Sequence, residues 1–248
     1  MKLSQASVLK LKTLLQTVSL VKIDRLIIEP NLIRGVDEDQ TVVIVSDQNV
    51  PDFGGAKVGL NRLSILANRI ALFDSDEAFA VEAVEAPSRD DDGTDISSFK
   101  LASKGSKFEY KTARVGTIKA PKRVNDSFVW AVTVPVEAVK LAISAANTMG
   151  SDQLALVSKA SGEVLFEIVD SATQDTFTTK IADEATWIPE DEDQPSQSFV
   201  HYYAVKALMP LLKASSAQGE PVLLVGEEGM LQVTVNGYTM TLLPRESE

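Results

Sequence analysis

The chain has 248 residues, 44% of them hydrophobic, a formal net charge of −11 and no cysteine. That length suits one large domain or two of ordinary size. The missing cysteines exclude disulfides, thiolate metal sites and a cysteine nucleophile, and no window reaches the ~18–20 apolar residues of a membrane span.

The opening MKLSQASVLKLKTLLQ has no unbroken apolar run, so no signal peptide is expected and a cytoplasmic protein is. Ser4–Val18 reads as an amphipathic helix with Ser4 as N-cap and Val8, Leu11, Leu15 and Val18 on one stripe. Alternation predicts strands over Val21–Ile28 and Thr41–Ser46. Val58–Ile70, VGLNRLSILANRI, reads as a second helix whose apolar face centres on Leu63, Leu66, Ala67 and Ile70. Arg62 and Arg69 stand together on another side of it. Strands follow over Ala78–Glu85, Ser97–Ser103 and Ser106–Thr112.

ARVGTIKAPKRVNDS, 113–127, holds four basic residues and little periodicity and reads as an extended connector. A strand over Phe128–Val134 leads through Pro135 into a third helix, Val136–Met149, with Val136, Val139, Ile143 and Ala146 on its stripe. Strands are predicted over Gln153–Ser158, Glu163–Val169, Thr176–Ile181 and Ser198–Tyr202. A fourth helix covers Tyr203–Ala214, where Pro210 is expected to kink or shorten it. In LQVTVNGYTMTL, Asn236-Gly237 is the preferred two-residue hairpin turn. It sets Val235, Val233 and Leu231 against Tyr238, Met240 and Leu242 on one face.

The halves repeat one order of strands and helices, which gives domains 1–112 and 128–248 around the connector 113–127. KLSQASVLKL beside VTVPVEAVKL places Lys10 and Lys140 alike. LNRLSILANR beside AVKALMPLLK matches the pair Arg62/Arg69 with Lys206/Lys213. Each pair is seven residues apart, nearly two helical turns. The acids gather in RDDDGTD and PEDEDQP, which read as solvated loops.

Enzyme chemistry finds little support. His201 is the only histidine, which excludes a histidine-pair metal site, and it reads as structural. Trp130 and Trp187 read as isolated packing residues. The glycines of SDQNVPDFGG and SKASGEV do not form a phosphate-binding loop, and DDDGTD lacks the spacing of a calcium loop. No catalytic residue, metal or cofactor is expected. Basic residues on helices remain: Lys10 and Lys12 on the first, Arg62 and Arg69 on the second, Lys140 on the third, Lys206 and Lys213 on the fourth.

The sequence resembles the DNA polymerase sliding clamps, most closely the two-domain clamps of tailed bacteriophages, with eukaryotic and archaeal clamps as more distant relatives. The resemblance rests on MKLS running into a helix, on DFGGAKVGLNRLSILANRI followed by AFAVEAVE, on TIKAPKRVNDSFVWAVTVPVEAVKL and on GYTMTLLPRESE. It implies an α+β clamp fold: two similar domains, each with two helices on antiparallel sheet, closing head to tail as a homotrimeric ring. It implies duplex DNA held without base readout, with the seven named cations as the lining. It also implies tethering of a replicative polymerase and contact with a clamp loader. Their peptide tails would be held by Ile118, Ala120 and Pro121 in the connector and Leu242, Leu243 and Pro244 near the end. If the protein is viral, its place is the host cytoplasm. Two rival readings stand beside this one. A β-rich viral scaffolding protein would have no reason to repeat the basic pairs, and a metal enzyme would depend on Asp90–Asp92.

Overall fold

The computed structural model describes residues 1–73, 79–103, 105–121, 123–124, 127–170, 172–188 and 198–245. The chain divides into two compact units, Met1–Arg123 with Asn236–Tyr238, and Val124–Val235 with Thr239–Glu248.

The first unit opens with α1 (Gln5–Ser19), capped by Ser4, whose hydroxyl accepts the Ser7 N–H at 3.1 Å. Val8, Leu11, Leu15 and Val18 are all buried, as the stripe predicts. Then come β1 (Arg25–Glu29), β2 (Leu32–Val36), β3 (Val42–Ser46), β4 (Val58–Asn61), α2 (Leu63–Ala71), β5 (Ala80–Pro87), β6 (Thr94–Ser103) and β7 (Ser106–Lys111). Antiparallel pairing orders them β3-β2-β1-β4 in one sheet and β5-β6-β7 in another. Met1–Leu3 run along β5: Leu3 donates to Val81 and Ala83 to Met1 through their backbones. The tight β2–β3 turn is built on Asp37, only 8% exposed. Its carboxylate accepts from Thr41 N at 2.7 Å, Thr41 Oγ1 at 2.8 Å and Val42 N at 2.8 Å.

The second unit repeats the pattern. It runs β8 (Phe128–Thr133), α3 (Val136–Met149), β9 (Gln153–Ser158), β10 (Val164–Val169), β11 (Thr176–Ala182), β12 (Thr186–Trp187), β13 (Phe199–Ala204), α4 (Val205–Ser216), β14 (Val222–Gly226), β15 (Leu231–Val235) and β16 (Tyr238–Leu242). Its sheets are β11-β10-β9-β13 and β12-β8-β14-β15-β16. Strand for strand, β3-β2-β1-β4 corresponds to β11-β10-β9-β13, and Met1–Leu3 with β5-β6-β7 to β8-β14-β15-β16. In each unit the two helices pack together, and α3 and α4 cover β10, β11, β13 and β15. The Asn236-Gly237 turn has the expected positive φ values, 52° and 77°.

Several expectations need correction. VGLN is not the start of α2 but strand β4, held by β1 in register with Ile28 against Val58. Pro210 neither ends nor shortens α4, which runs six residues beyond it. Trp130 and Trp187 are not isolated: they face each other across β8 and β12, with rings 5.6 Å apart. β2, β12 and β14 have no counterpart among the predicted strands. PEDEDQP lies outside the described residues.

Asp37→Ala leaves two backbone N–H groups and a hydroxyl of one turn without their acceptor. It is expected to lower unfolding free energy by about 1–3 kcal/mol, measured by chemical denaturation. A loss under about 0.5 kcal/mol would show that the turn forms without it.

Candidate nucleic-acid interface and connector

Arg62 lies outside the helix, as the N-cap of α2 in the left-handed region, φ 54° and ψ 49°. A strand must turn sharply there to enter α2, and Arg62 takes the strained conformation. Its Nη2 donates to the Lys111 carbonyl at 3.5 Å, and its guanidinium lies 5.8 Å from the Tyr110 ring centre. Arg69, in the last turn of α2, donates from Nη1 to the Glu109 carbonyl at 3.4 Å and lies 4.0 Å over the Phe108 ring. Both arginines therefore converge on β7. Thr112 donates to Ser97, so even-numbered residues of this stretch direct their polar groups toward β6. Lys107, Glu109 and Lys111 direct theirs away from it. The arginines thus occupy outward carbonyls on the last strand of a sheet.

The remaining predicted cations differ among themselves. With Ser4 and Pro135 as N-caps, Lys10 is the sixth residue of α1 and Lys140 the fifth of α3. They are therefore not equivalent and point ~100° apart on their wheels. Lys10 is half-buried and donates to the Val50 carbonyl at 3.3 Å. Lys12 lies 5.0 Å from the Phe79 ring centre. Lys140 is exposed beside Glu137, at 2.6 Å. Lys206 and Lys213 are exposed on one side of α4, the second and ninth of its residues. Lys213 sits in the last turn, where the helix dipole favours a cation.

The connector is fastened to the first unit. Ala113 pairs with Gly59, so closely that a Cβ on Gly59 would meet the Ala113 carbonyl oxygen at 2.5 Å. A short 3-10 turn, Val115–Thr117, then leads to Ile118, which is buried. The Ala120 carbonyl accepts from Arg34 Nη1 at 3.2 Å, and Arg34 Nε donates to Glu29 at 3.1 Å; Pro121 is half-buried. Asp90 accepts from Arg114 Nε at 2.8 Å and from Gly116 N–H at 2.7 Å. Both contacts hold its carboxyl below the usual range, Arg114 the more strongly. Asp91 is held low chiefly by the Lys57 ammonium. RDDDGTD is therefore partly a fastening rather than only a solvated loop.

Near the other end, Leu242 is buried in β16, Leu243 is 38% exposed and Pro244 is half-buried. Arg245 donates its N–H to Tyr202 at 2.8 Å and pairs with Asp152 at 3.2 Å. Arg34, Arg114 and Gly116 escaped sequence reasoning, and Asp90 entered it only as a loop carboxylate of the rival metal-enzyme reading, not as a partner of Arg114 and Gly116. The one local signal was Arg34, a charge inside the apolar run LIRGV.

In the second unit, Trp130 packs against Phe199 at 4.9 Å, and Phe199 stacks on His201 at 5.2 Å. Burial lowers the affinity of His201 for a proton. Among the described residues no group of three or more His, Cys, Asp or Glu side chains is placed to hold a metal ion, and no helix is long and apolar enough to cross a membrane.

No protein-family model and no curated protein matches the sequence. Solved structures match it along its whole length. A. fulgidus PCNA, solved with the C-terminal region of FEN-1 bound, has a TM-score of 0.66 at 16% identity, covering 100% of each chain. The fold is that of the PCNA-type sliding clamps. Thermococcus kodakaraensis PCNA gives 0.64 at 12% identity over 99% of both chains. The Entamoeba histolytica protein gives 0.63 at 12% identity over 99% of this chain and 98% of that one. At such identities the likeness concerns fold, and the clamp fold accounts for the two matching units.

The depressed His201 pKa has a definite sign. Above about pH 6.5 the ring is neutral folded or unfolded and carries no cost. Below that, the unfolded chain takes up a proton that the folded ring resists, so stability falls toward the folded pKa. His201→Gln is expected to remove this component, at most about 1.4 kcal/mol per pH unit. Denaturation of both proteins between about pH 7 and 5 checks it, and parallel curves would contradict it.

Proposed function

We propose that this chain is a DNA polymerase sliding clamp, a non-enzymatic ring of three copies that encircles duplex DNA without reading sequence. The carrying observation is the clamp fold over the whole chain, repeated in both units. The sheet edges support assembly. β4 is paired by Ala113, β5 by Met1–Leu3 and β13 by Arg245. Apart from the two-residue β12, β7 and β11 are edge strands with no described backbone partner beyond them. An open edge invites another strand. Different edges on one copy give a head-to-tail contact, which generates a ring if the rotation closes.

The same reading takes 1–112 and 128–248 as clamp domains and 113–127 as their connector. It places the chain with the two-domain clamps of tailed bacteriophages, working in the host cytoplasm. Lys10, Lys12, Lys140, Lys206 and Lys213 line the hole, held to phosphates by charge alone. Arg62 and Arg69 join that lining only by leaving β7. Ile118, Ala120 and Pro121, with Leu242, Leu243 and Pro244, receive the tails of polymerase and loader. The peptide-bound A. fulgidus clamp supports a partner-binding role for the fold.

Size analysis in solution should give a trimer. Proline is tolerated on an edge strand where its missing N–H faced solvent, so Glu109→Pro is expected to keep a folded protomer and lose the trimer. A wild-type monomer, or a Glu109→Pro trimer, sinks the assembly. Once loaded, the ring should stay on circular DNA and slide off linear DNA; equal retention contradicts encirclement. Lys206→Ala and Lys213→Ala should each weaken binding alike on all sequences and flatten the salt dependence, by roughly 0.9 in log–log slope per lost phosphate contact.

A further inference from the structure

The connector offers peptide-facing residues only if its backbone is held in one path. Three fastenings hold it, and two of them come from side chains outside it. Arg34 is 8% exposed and reaches from β2, with Nε on Glu29 at 3.1 Å and Nη1 on the Ala120 carbonyl at 3.2 Å. Asp90 reaches from the β5–β6 loop, gripping Arg114 at 2.8 Å and the Gly116 N–H at 2.7 Å. The loop is itself tied down: the Asp91 carboxylate accepts from Lys57, and the Lys57 N–H donates to Thr94 at 2.9 Å. The third fastening is the backbone pair of Gly59 and Ala113. Two glycines make room for it all. A Cβ on Gly116 would stand 2.7 Å from the Asp90 carboxylate, and one on Gly59 would strike both Ala113 and Ile118.

We propose that Arg34 and Asp90 are positioning residues for partner docking: they fix the connector path before a peptide arrives, without touching the peptide. Arg34 sets the stretch around Ala120, and Asp90 sets the turn that leads into Ile118. The proposal rests on the reading that the connector receives partner peptides. Its physical content is preorganisation. A peptide that binds only the fastened connector has its affinity reduced by the fraction of molecules in which the connector is fastened.

The test uses the full-length protein and three variants, Asp90→Ala, Gly116→Ala and Arg34→Met. Asp90 and Gly116 lie in exposed loops, so their variants keep the test independent of any folding defect in Arg34→Met. Amide hydrogen exchange reads the connector, and calorimetry reads binding of a synthetic peptide of the FEN-1 C-terminal region, the segment bound by the A. fulgidus clamp. In Asp90→Ala and Gly116→Ala, amides of 114–118 should exchange at least about tenfold faster while β1, β2 and β4 are unchanged. The peptide Kd should rise by the reciprocal of the fastened fraction, on the order of 3–10-fold. Arg34→Met should loosen 118–121 in the same way. Unchanged connector exchange overturns the proposal, as does faster exchange with unchanged affinity. Failure of the wild type to bind the peptide is a different result: it overturns the docking reading, and the positioning role with it.

Discussion

A β-strand at the end of a sheet carries a row of N–H and C=O groups that need partners, and this constraint orders the whole chain. Each unit is built from two sheets, so each has edges to dispose of. The chain spends short stretches outside its strands on that task. Met1–Leu3 lie along β5, Ala113 along β4 and Arg245 along β13. The start of the connector and the segment after β16 are therefore structural before they are anything else. β7 and β11 receive no such cover among the described residues.

The arginines at β7 belong to the same account. A guanidinium that meets a carbonyl at 3.4 or 3.5 Å is at the outer limit of hydrogen bonding. Such contacts are weaker than the ladder of backbone bonds a strand would supply. The cation–π contacts with Phe108 and Tyr110 add roughly 0.5–1 kcal/mol each at exposed sites. Arg62 and Arg69 thus shield the edge without sealing it.

Much of the fold was legible because its signals are local. α1 buries its whole predicted stripe, and Asn236-Gly237 can hardly be anything but a hairpin turn. α3 was legible as a helix, but of its predicted stripe only Val139 and Ala146 are buried; Ala138 and Ala142 take the places expected of Val136 and Ile143, which are half-buried. The failures share one cause. VGLN has an apolar run too short to distinguish helix from strand, and only pairing with β1 decides it. That error carried Arg62 onto a helix face it does not occupy. The shortening expected at Pro210 fails for a similar reason: the packing of α4 against β13 and β15 outweighs a lost backbone bond. The connector fastenings were illegible because Asp90 and Arg114 are 24 residues apart, and Arg34 and Ala120 are 86 apart. No periodicity reports such contacts.

The charge distribution then looks less paradoxical than the net value of −11 suggests. Counting acids and bases treats every side chain as free, yet many here are committed in pairs. Asp90 is spent on Arg114, Asp91 on Lys57, Glu29 on Arg34 and Asp152 on Arg245. Lys140 is matched by Glu137, and Lys10 and Lys12 are drawn toward Val50 and Phe79. Positive potential on a helix depends on where its cations stand, not on how many the chain contains. On α4, Lys206 and Lys213 are both exposed on one side of the helix. On the proposed clamp reading, a lining of a few cations without base contacts would hold DNA weakly at any one position. Weak holding would suit a ring kept on the duplex by closure and not by affinity.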